Sequence, residues 1–325
     1  MISIVICTYN SPDLINKCVN SILKQKGVEE KIEILFVDGG SDNTTIDLLK
    51  SISRKRIKNI EFKIINNLEK IAEGKGRGKW KGFYESKGKL VGFIDQDNEF
   101  VREDTLAKVI KLMKKEKECF GFAHRLFLDK RENWINQTIS LIGTDPILAY
   151  RSLDYLSNIG KLNFEKKVGY IVVKIPKEEI IITGGNCFFY RRKDLNKIGG
   201  YTQDVDNIYL LNKLNKNKII LLDEKTTNHR AIESFFEFLK KKRKYGKSYS
   251  NEKREFSYIP KTRIEKRNFI INLWKIIFIL PLVVEKIIFS IKYKEPRHLL
   301  TIPLYYVCFF TYFLGILENF LKFRK

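Results

Sequence analysis

Short runs of β-branched and aromatic residues alternate with helix-like segments over the first hundred residues of this chain. The runs occupy residues 2–7, 32–37, 60–65 and 90–94, and apolar residues at helical spacing lie between them. Strands that alternate with helices are joined by right-handed crossovers, which makes the strands parallel. The pattern therefore predicts an α/β fold with a Rossmann-like, mostly parallel sheet.

Polar residues follow three of these predicted strands at the point where each strand ends. They are Thr8, Tyr9 and Asn10 after the first run, Asp38 and Asp42 after the second, and Asp95 and Asp97 after the fourth. In open α/β sheets, ligands bind beyond the carboxyl ends of the strands. We therefore expect these three clusters to converge on one ligand-binding edge.

Asp95 and Asp97 are two carboxylates one residue apart at the end of an apolar strand. Both can reach a hard cation such as Mn²⁺ or Mg²⁺ in the ligand crevice. A nucleoside-diphosphate leaving group needs such a cation, because negative charge develops on it during transfer. An ordinary solvated turn at the strand end is the alternative interpretation of this pair.

Three motifs in this order resemble the family 2 glycosyltransferases of the GT-A fold. They are Ile-Val-Ile-Cys-Thr-Tyr-Asn at residues 4–10, Phe-Val-Asp-Gly-Gly-Ser-Asp-Asn-Thr at 36–44, and Phe-Ile-Asp-Gln-Asp at 93–97. The resemblance continues through Thr-Gly-Gly-Asn at 183–186 and Ile-Gly-Gly-Tyr at 198–201 to about residue 230. The second motif is one residue shorter between Ser41 and Asp42 than is usual in the family.

The resemblance assigns nucleotide-sugar binding to the first strand end and to the aspartate after the second strand. The residues in question are Thr8, Tyr9, Asn10 and Asp38, together with Arg77 of the basic loop at 74–78 and Asp95. An Asx turn or a helix cap is the alternative role for Asp38, and capping of the next helix is the role we predict for Asp42.

The resemblance also implies a catalytic base and a further metal ligand. An inverting transfer needs a carboxylate that takes the proton of the acceptor hydroxyl. In similar enzymes it follows the Gly-Gly-aromatic turn, and here Asp204 holds that place, with Asp206 in reserve and helix capping as the alternative. His229 stands where similar enzymes often place a histidine near the cation or diphosphate, so the predicted metal set is Asp95, Asp97 and His229.

The composition limits the partners and the compartment. The net charge is +23, which requires an anionic partner or a solvated basic surface. The five cysteines are scattered without a Cys-x-x-Cys pair, which argues against a disulfide framework or a zinc site. The N-terminus begins directly with a β-like run, so we expect no cleaved signal peptide.

The C-terminal part changes from basic to apolar. Residues 240–267 contain twelve Lys or Arg against three Glu, and residues 299–317 contain no charged residue. A basic segment followed by an apolar one is typical of a membrane-edge region. We predict a catalytic domain at 1–230, a basic amphipathic helix and linker at 231–267, and a membrane-associated helical pair at 268–325. A soluble dimer interface is the alternative for the pair.

Together these observations predict a metal-dependent, inverting glycosyltransferase at the cell membrane, with its catalytic domain facing the cytoplasm. Its partners would be a nucleoside-diphosphate sugar, a glycan or polyprenyl-lipid-linked acceptor and an anionic membrane surface. A nucleotidyltransferase would carry a glycine-rich phosphate loop after the first strand, which is absent from the sequence there. A non-catalytic nucleotide-sugar or nucleic-acid binding protein on the same fold remains the alternative, although no nucleic-acid-binding motif accompanies the basic residues.

Overall fold

The chain forms two compact units. The computed structural model describes residues 1–67, 77–127, 132–142, 162–177, 187–202, 204–229, 232, 234–249 and 263–322. The first unit comprises Met1–Phe127 and Leu162–His229, and the second comprises Leu128–Lys161 and Arg230–Lys325. The second unit thus includes residues 128–161, which the predicted division at residue 230 assigns to the first domain.

The first part of unit one is a regular parallel α/β arrangement. Its elements are β1 (Ile2–Thr8), α1 (Pro12–Leu23), β2 (Ile32–Asp38), α2 (Asn43–Ser53), β3 (Ile60–Asn66), α3 (Arg77–Glu85) and β4 (Leu90–Asp95). The strands pair in parallel in the order β3-β2-β1-β4. The predicted parallel sheet is confirmed here, and the in-register pairing places Thr8 opposite Asp38.

Beyond β4 the same sheet becomes mixed. The further elements of this unit are β5 (Asn98–Phe100), α4 (Thr105–Lys115), β6 (Gly121–Phe127), β7 (Asn163–Lys167), β8 (Tyr170–Lys174), β9 (Phe188–Arg191), α6 (Arg192–Asn196), α7 (Asp204–Lys213) and β10 (Lys218–His229). The order continues β4-β9-β6-β10-β8-β7, and β5 pairs with β10. Only β6 and β10 run parallel in this described half of the sheet.

Burial on both faces explains why the central strands are almost wholly apolar. Ile4, Val5 and Ile6 of β1 are fully buried, as expected for a parallel sheet covered by helices. A Cβ added at Gly82 of α3 would overlap the Val5 side chain. This glycine therefore allows α3 to lie close against the sheet, which fixes the start of α3 near the strand ends.

The second unit is helical in its described part. It contains α5 (Trp134–Ile142), α8 (Phe235–Tyr249), α9 (Arg263–Ile277), α10 (Ile279–Lys292), a 3₁₀ helix (Pro296–Leu300) and α11 (Thr301–Lys322). Its core joins side chains of α5, α8 and the C-terminal helices. The basic helix predicted within 231–267 is present as α8.

The first helix of the pair predicted at 268–325 is divided into α9 and α10. Phe278 between them has an extended backbone with φ −98° and ψ 98°. Pro281 lies in the first turn of α10, where its missing N–H costs nothing, but a continuous helix would bring its ring against the carbonyl of Ile277. The proline therefore accounts for the break.

One described helix is long and apolar enough to cross a membrane. It spans Pro296–Leu321, so it includes the 3₁₀ turn and most of α11. The mean hydropathy of its most apolar stretch is 1.8, and 28% of that stretch is buried. Large apolar side chains are also exposed on α9 and α10, among them Trp274, Leu280 and Ile291. Exposed apolar surface of this extent is unusual for a protein that contacts only water.

Candidate active site

Asp38 organises the loop between β2 and α2. Its Oδ2 accepts hydrogen bonds from the backbone N–H groups of Gly40, at 2.8 Å, and Ser41, at 2.9 Å. Its Oδ1 accepts from the hydroxyls of Ser41, at 2.5 Å, and Thr8, at 3.1 Å. A carboxylate has about four acceptor positions, and these four donors fill all of them. They thereby hold the ends of β1 and β2 together.

The chain that leaves β1 is held by side chains from the neighbouring loops. The backbone N–H of Tyr9 donates to Oε1 of Gln96 at 2.8 Å, and Nε2 of Gln96 donates to the Tyr9 carbonyl at 3.2 Å. Asn10 has a positive φ of 40°, and its Oδ1 accepts from the backbone N–H of Asp42 at 2.8 Å. The Tyr9 side chain is 52% exposed, so a fixed backbone presents an aromatic ring at the strand ends.

Asp95 at the end of β4 is paired with a buried lysine. Nζ of Lys79 lies 3.1 Å from Oδ1 of Asp95, and the Lys79 side chain is only 9% exposed. Lys79 is on the first turn of α3, which reaches this position because α3 packs closely on the sheet. Arg77 was predicted from this region and Lys79 was not, although Gly82 and Phe83, three and four residues after Lys79, lie on the same inward face of the helix.

Asp97 meets His229 through the pairing of β5 with β10. The antiparallel register sets His229 opposite Asn98. Asp97, which precedes Asn98, therefore comes within reach of the His229 imidazole. Oδ2 of Asp97 lies 3.3 Å from Nε2 of His229. Two residues 132 positions apart in the sequence thus form one polar pair at the carboxyl end of the sheet.

A buried thiol, Cys18, lies next to the end of β4, with its Sγ 3.8 Å from the Asp95 carbonyl oxygen. Burial raises the pKa of the Cys18 thiol, and the nearby charges of Asp97 and Asp95 raise it further. Cys18 is therefore a neutral core thiol that lies under the site.

The donor set suits a hard or borderline divalent cation. Among the described residues no group of three or more His, Cys, Asp or Glu side chains is arranged to hold a metal ion. The Asp97–His229 pair nevertheless offers one carboxylate oxygen and one imidazole nitrogen, and Asp95, two residues before Asp97, ends β4. Mg²⁺ in phosphate-transfer sites is held by one or two carboxylates with the substrate's phosphates completing the shell, so these residues fit such an ion.

A glycine turn from α6 packs against α3. Gly199 and Gly200 have φ values of +84° and +104°, which an L side chain rarely adopts. The hydroxyl of Tyr84 donates to the Gly199 carbonyl at 2.9 Å. Tyr201 is buried against Phe93 of β4, with ring centroids 4.3 Å apart, and α7 begins three residues later at Asp204.

The structure thus brings together most of the predicted site residues that it describes. Thr8, Asn10 and Asp38 lie at the ends of β1 and β2, and Asp97 lies beside His229. Arg77 and Asp204 are the first residues of α3 and α7, but their side chains lie outside the described part of the chain. The predicted Thr-Gly-Gly-Asn motif at 183–186 also lies outside it.

Comparison with known protein families gives a match over most of this unit. The model of the family described as Glycosyl transferase family 2 matches residues 3–199. That range is more than half of the chain and includes Thr8, Asp38, Lys79, Asp95 and Asp97. His229 and Asp204 lie beyond it.

Curated relatives match over about a third of the chain. A UDP-Glc:alpha-D-GlcNAc-diphosphoundecaprenol beta-1,3-glucosyltransferase of Escherichia coli is 32% identical over 124 residues, which are 38% of this chain and 45% of that protein. A poly(ribitol-phosphate) beta-glucosyltransferase of Bacillus spizizenii is 32% identical over 97 residues, 30% of this chain and 15% of that protein. The chain therefore matches less than half the length of these relatives.

Two solved structures share the fold. A mannosyltransferase from Pyrobaculum calidifontis in complex with GDP-Man and Mn²⁺ has a TM-score of 0.57 at 12% identity, covering 98% of this chain and 86% of the other. The Staphylococcus aureus TarS fragment 1–349 in complex with UDP has a TM-score of 0.50 at 17% identity, covering 78% of this chain and 67% of that one. At these identities the likeness concerns the fold alone, and it confirms the predicted GT-A architecture.

Proposed function

Because the chain belongs to glycosyl transferase family 2, we propose that this glycosyltransferase moves a sugar from a nucleoside-diphosphate donor to a glycan or polyprenyl-lipid-linked acceptor, with inversion. The observation that carries the proposal is the convergence of the Lys79–Asp95 and Asp97–His229 pairs at the carboxyl ends of the strands. The acceptor class is supported by two relatives, which are named for transfer to a diphosphoundecaprenol-linked sugar and to poly(ribitol-phosphate).

The nucleoside of the donor would bind at the ends of β1 and β2. Tyr9 offers an exposed ring for the base, and its backbone is fixed by Gln96. Asp38 and Thr8 keep the loop at Gly40 and Ser41 in one conformation. A preformed loop lowers the entropy lost on binding.

The diphosphate would lie beside Lys79, Asp95 and Asp97. Asp97 and His229, with Asp95, would hold Mn²⁺ or Mg²⁺, and a GT-A neighbour was solved with Mn²⁺. Such a cation neutralises the charge that develops on the leaving nucleoside diphosphate. The ammonium of Lys79, buried and 3.1 Å from Asp95, adds a second positive charge in the same place and orients the Asp95 carboxylate.

Asp204 would act as the base. In the proposed step the acceptor oxygen forms a bond to the anomeric carbon while the bond from that carbon to the diphosphate oxygen breaks. The hydroxyl proton passes to the Asp204 carboxylate, and the nucleoside diphosphate leaves. The position of Asp204 at the start of α7, after the Gly199–Gly200 turn, supports this role, with Asp206 in reserve.

A panel of UDP-, GDP- and other sugar nucleotides would test the reaction. The purified full chain in detergent, with Mn²⁺ or Mg²⁺ and a membrane-lipid extract as acceptor, is expected to release nucleoside diphosphate from one donor. Asp204→Asn should lower the rate at least a hundredfold, whereas Asp206→Asn should lower it less than threefold. If Asp206→Asn shows the large loss of rate and Asp204→Asn the small one, Asp206 is the base. If no donor turns over, the binding-protein alternative gains support.

Membrane attachment through the second unit is the other part of the proposal. The helix over Pro296–Leu321 and the exposed apolar residues of α9 and α10 support it. The basic residues at 240–267 would face an anionic membrane surface, and their charge favours a cytoplasmic position for the catalytic unit.

Fractionation of cells that express the full chain would test the attachment. We expect the chain to stay in the membrane pellet after alkaline carbonate, and added protease to digest the catalytic unit in inverted vesicles but not in intact spheroplasts. Release by carbonate would contradict a membrane-spanning helix. Digestion in spheroplasts would contradict the cytoplasmic orientation.

A further inference from the structure

Two exposed aromatic rings lie side by side on α3. Trp80 is 46% exposed and Tyr84 is 54% exposed. They are four residues apart, so they occupy the same face of the helix one turn apart. Their ring centroids are 4.5 Å apart and their planes meet at 49°. Large apolar rings are usually buried, so a pair that remains accessible needs an explanation beyond packing.

The Tyr84 ring is held in place from both sides. Its hydroxyl donates to the Gly199 carbonyl at 2.9 Å, and its edge meets the ring of the inward-facing Phe83 at 5.6 Å. A Cβ added at Gly200 would lie 2.8 Å from the Tyr84 hydroxyl oxygen. The turn thus accommodates Tyr84 because residue 200 is glycine, and the hydrogen bond to Gly199 holds the ring against this turn.

The pair lies on the helix whose first turn contributes Lys79 to the candidate active site. Trp80 follows Lys79, whose ammonium contacts Asp95. Tyr84 contacts the Gly199–Gly200 turn, which leads within four residues to Asp204 at the start of α7. The nucleoside-binding loops are held together at a different place, where Asn10 and Thr8 of the first loop contact the loop after β2.

We propose that Trp80 and Tyr84 form the acceptor subsite and stack against a pyranose ring of the acceptor glycan. This inference rests on the proposed function. One face of a pyranose ring carries C–H groups and packs on an aromatic face, while its hydroxyls point outward to water and to neighbouring polar groups. A ring stacked here would lie next to the Gly199–Gly200 turn that precedes Asp204, the proposed base for the acceptor hydroxyl.

Two features favour an acceptor sugar over the other ligands of the site. The base of the donor already has an exposed ring in Tyr9, at the end of β1. The diphosphate needs the charged groups Lys79, Asp97 and His229 rather than aromatic faces. Trp80 and Tyr84 present two rigid apolar surfaces with one hydroxyl already engaged by the Gly199 carbonyl, which suits a neutral sugar.

Tryptophan fluorescence gives a direct test, because Trp80 is the tryptophan of the first unit and the other two, Trp134 and Trp274, belong to the second. In the full chain in detergent with Trp134→Phe and Trp274→Phe, we would titrate methyl glycosides of glucose, N-acetylglucosamine and mannose. A saturable change in Trp80 emission with at least one glycoside is expected. No saturable change with any of them overturns the inference.

Variants of the neighbouring ring separate stacking from indirect effects. In the same background, Tyr84→Ala should raise the apparent Kd for the glycoside at least tenfold, and Tyr84→Phe, which keeps the ring, less than threefold. Phe236→Ala, an exposed aromatic of α8, is the matched control and should leave the Kd unchanged. Equal weakening by Tyr84→Phe and Tyr84→Ala would show that the hydroxyl positions the turn and that the ring binds no sugar.

Competition and turnover distinguish the remaining outcomes. If UDP or GDP alone displaces the glycoside from Trp80, the pair belongs to the nucleoside site and the acceptor inference is wrong. If the protein releases nucleoside diphosphate from a donor but no glycoside changes Trp80 emission, only this inference fails. If a glycoside binds at Trp80 but no donor turns over, the proposed function fails and the sugar site stands.

Discussion

Asp38 illustrates at the scale of single residues what the sequence could and could not predict. Its motif indicated either nucleotide contact or an Asx turn. In the structure both carboxylate oxygens of Asp38 accept hydrogen bonds, at 2.5–3.1 Å, from Thr8 and from the loop at Gly40 and Ser41. The turn is therefore present, and nucleotide contact stays a proposal. Asp42 accepts from the backbone N–H of Thr45 at 2.9 Å, which confirms its predicted capping role.

Gly200 is predicted to be intolerant of any side chain. Its φ of +104° strains an L residue, and an added Cβ meets the Tyr84 hydroxyl at 2.8 Å. Gly200→Ala should lower the free energy of unfolding by about 2–4 kcal/mol, measured by chemical denaturation.

Two further variants separate the backbone strain of Gly200→Ala from its steric clash with Tyr84. Gly169 has a φ of +79° with no heavy atom within 4 Å of an added Cβ, so Gly169→Ala should show backbone strain alone, about 1 kcal/mol. Adding Tyr84→Phe to Gly200→Ala should recover part of the loss, because the clashing oxygen is gone. A purely additive double variant would contradict the close contact.

His124 is predicted to make the first unit sensitive to acid. It is buried among Phe100, Phe122 and Phe189, and burial lowers its pKa from 6.5 to about 3. Below pH 6.5 the unfolded chain therefore binds a proton at His124, whereas the native state leaves this residue neutral. The free energy of unfolding then falls as the pH falls, by about 1.4 kcal/mol per pH unit.

The comparison of His124→Gln with the parent isolates this contribution. Between pH 6.5 and pH 4.5 the parent should lose roughly 2–3 kcal/mol more than the variant, as measured by denaturant midpoints at each pH. Equal slopes in the two proteins would mean that His124 is already protonated in the native state.

At the scale of elements, periodicity predicted the parallel half of the sheet and failed beyond it. Strands β1, β2 and β4 are mostly apolar because helices cover both faces, so their apolar runs mark them in the sequence. The edge strand β3, Ile60–Asn66, is only partly buried and alternates apolar with polar residues over its first four positions. Strand β7 reads Asn-Phe-Glu-Lys-Lys and is largely exposed at the end of the sheet, so no apolar run marks it. Its position is set by pairing with β8.

The length of β10 is hidden in the sequence for a related reason. Its apolar residues at 219–222 mark only the first part of the strand, and the residues after them are mostly polar. The strand nevertheless runs to His229, because β5 and β6 supply backbone partners on its two sides. Long-range pairing of this kind cannot be read from local composition, and it is what brings His229 to Asp97.

Helices α8 and α11 are predicted to depend on two glycines where they cross. A Cβ at Gly315 would overlap the Arg243 carbonyl, and one at Gly246 would overlap the Tyr312 carbonyl. Gly315→Leu should therefore separate the helices and lower the thermal midpoint of the second unit markedly, whereas Leu314→Ala, at an exposed neighbour, should change it little. Similar midpoints for the two variants would contradict this packing.

At the scale of the whole molecule, the chain joins a family 2 catalytic fold to a helical unit with a large exposed apolar surface. The family match ends at residue 199, whereas the proposed base and metal histidine follow it at Asp204 and His229. The sequence motifs thus indicated the enzyme class, and the strand pairing supplied the geometry that joins residues from both sides of that boundary.

The most direct test of the central claim is the metal dependence of nucleoside-diphosphate release. With the donor that turns over, activity should be lost in EDTA and restored by Mn²⁺ or Mg²⁺, and Asp97→Asn should lower the rate at least a hundredfold. Asp47→Asn, an exposed aspartate of α2, is the matched control and should retain the parent rate. Full activity of Asp97→Asn, or turnover that EDTA leaves unchanged, would contradict the proposed site.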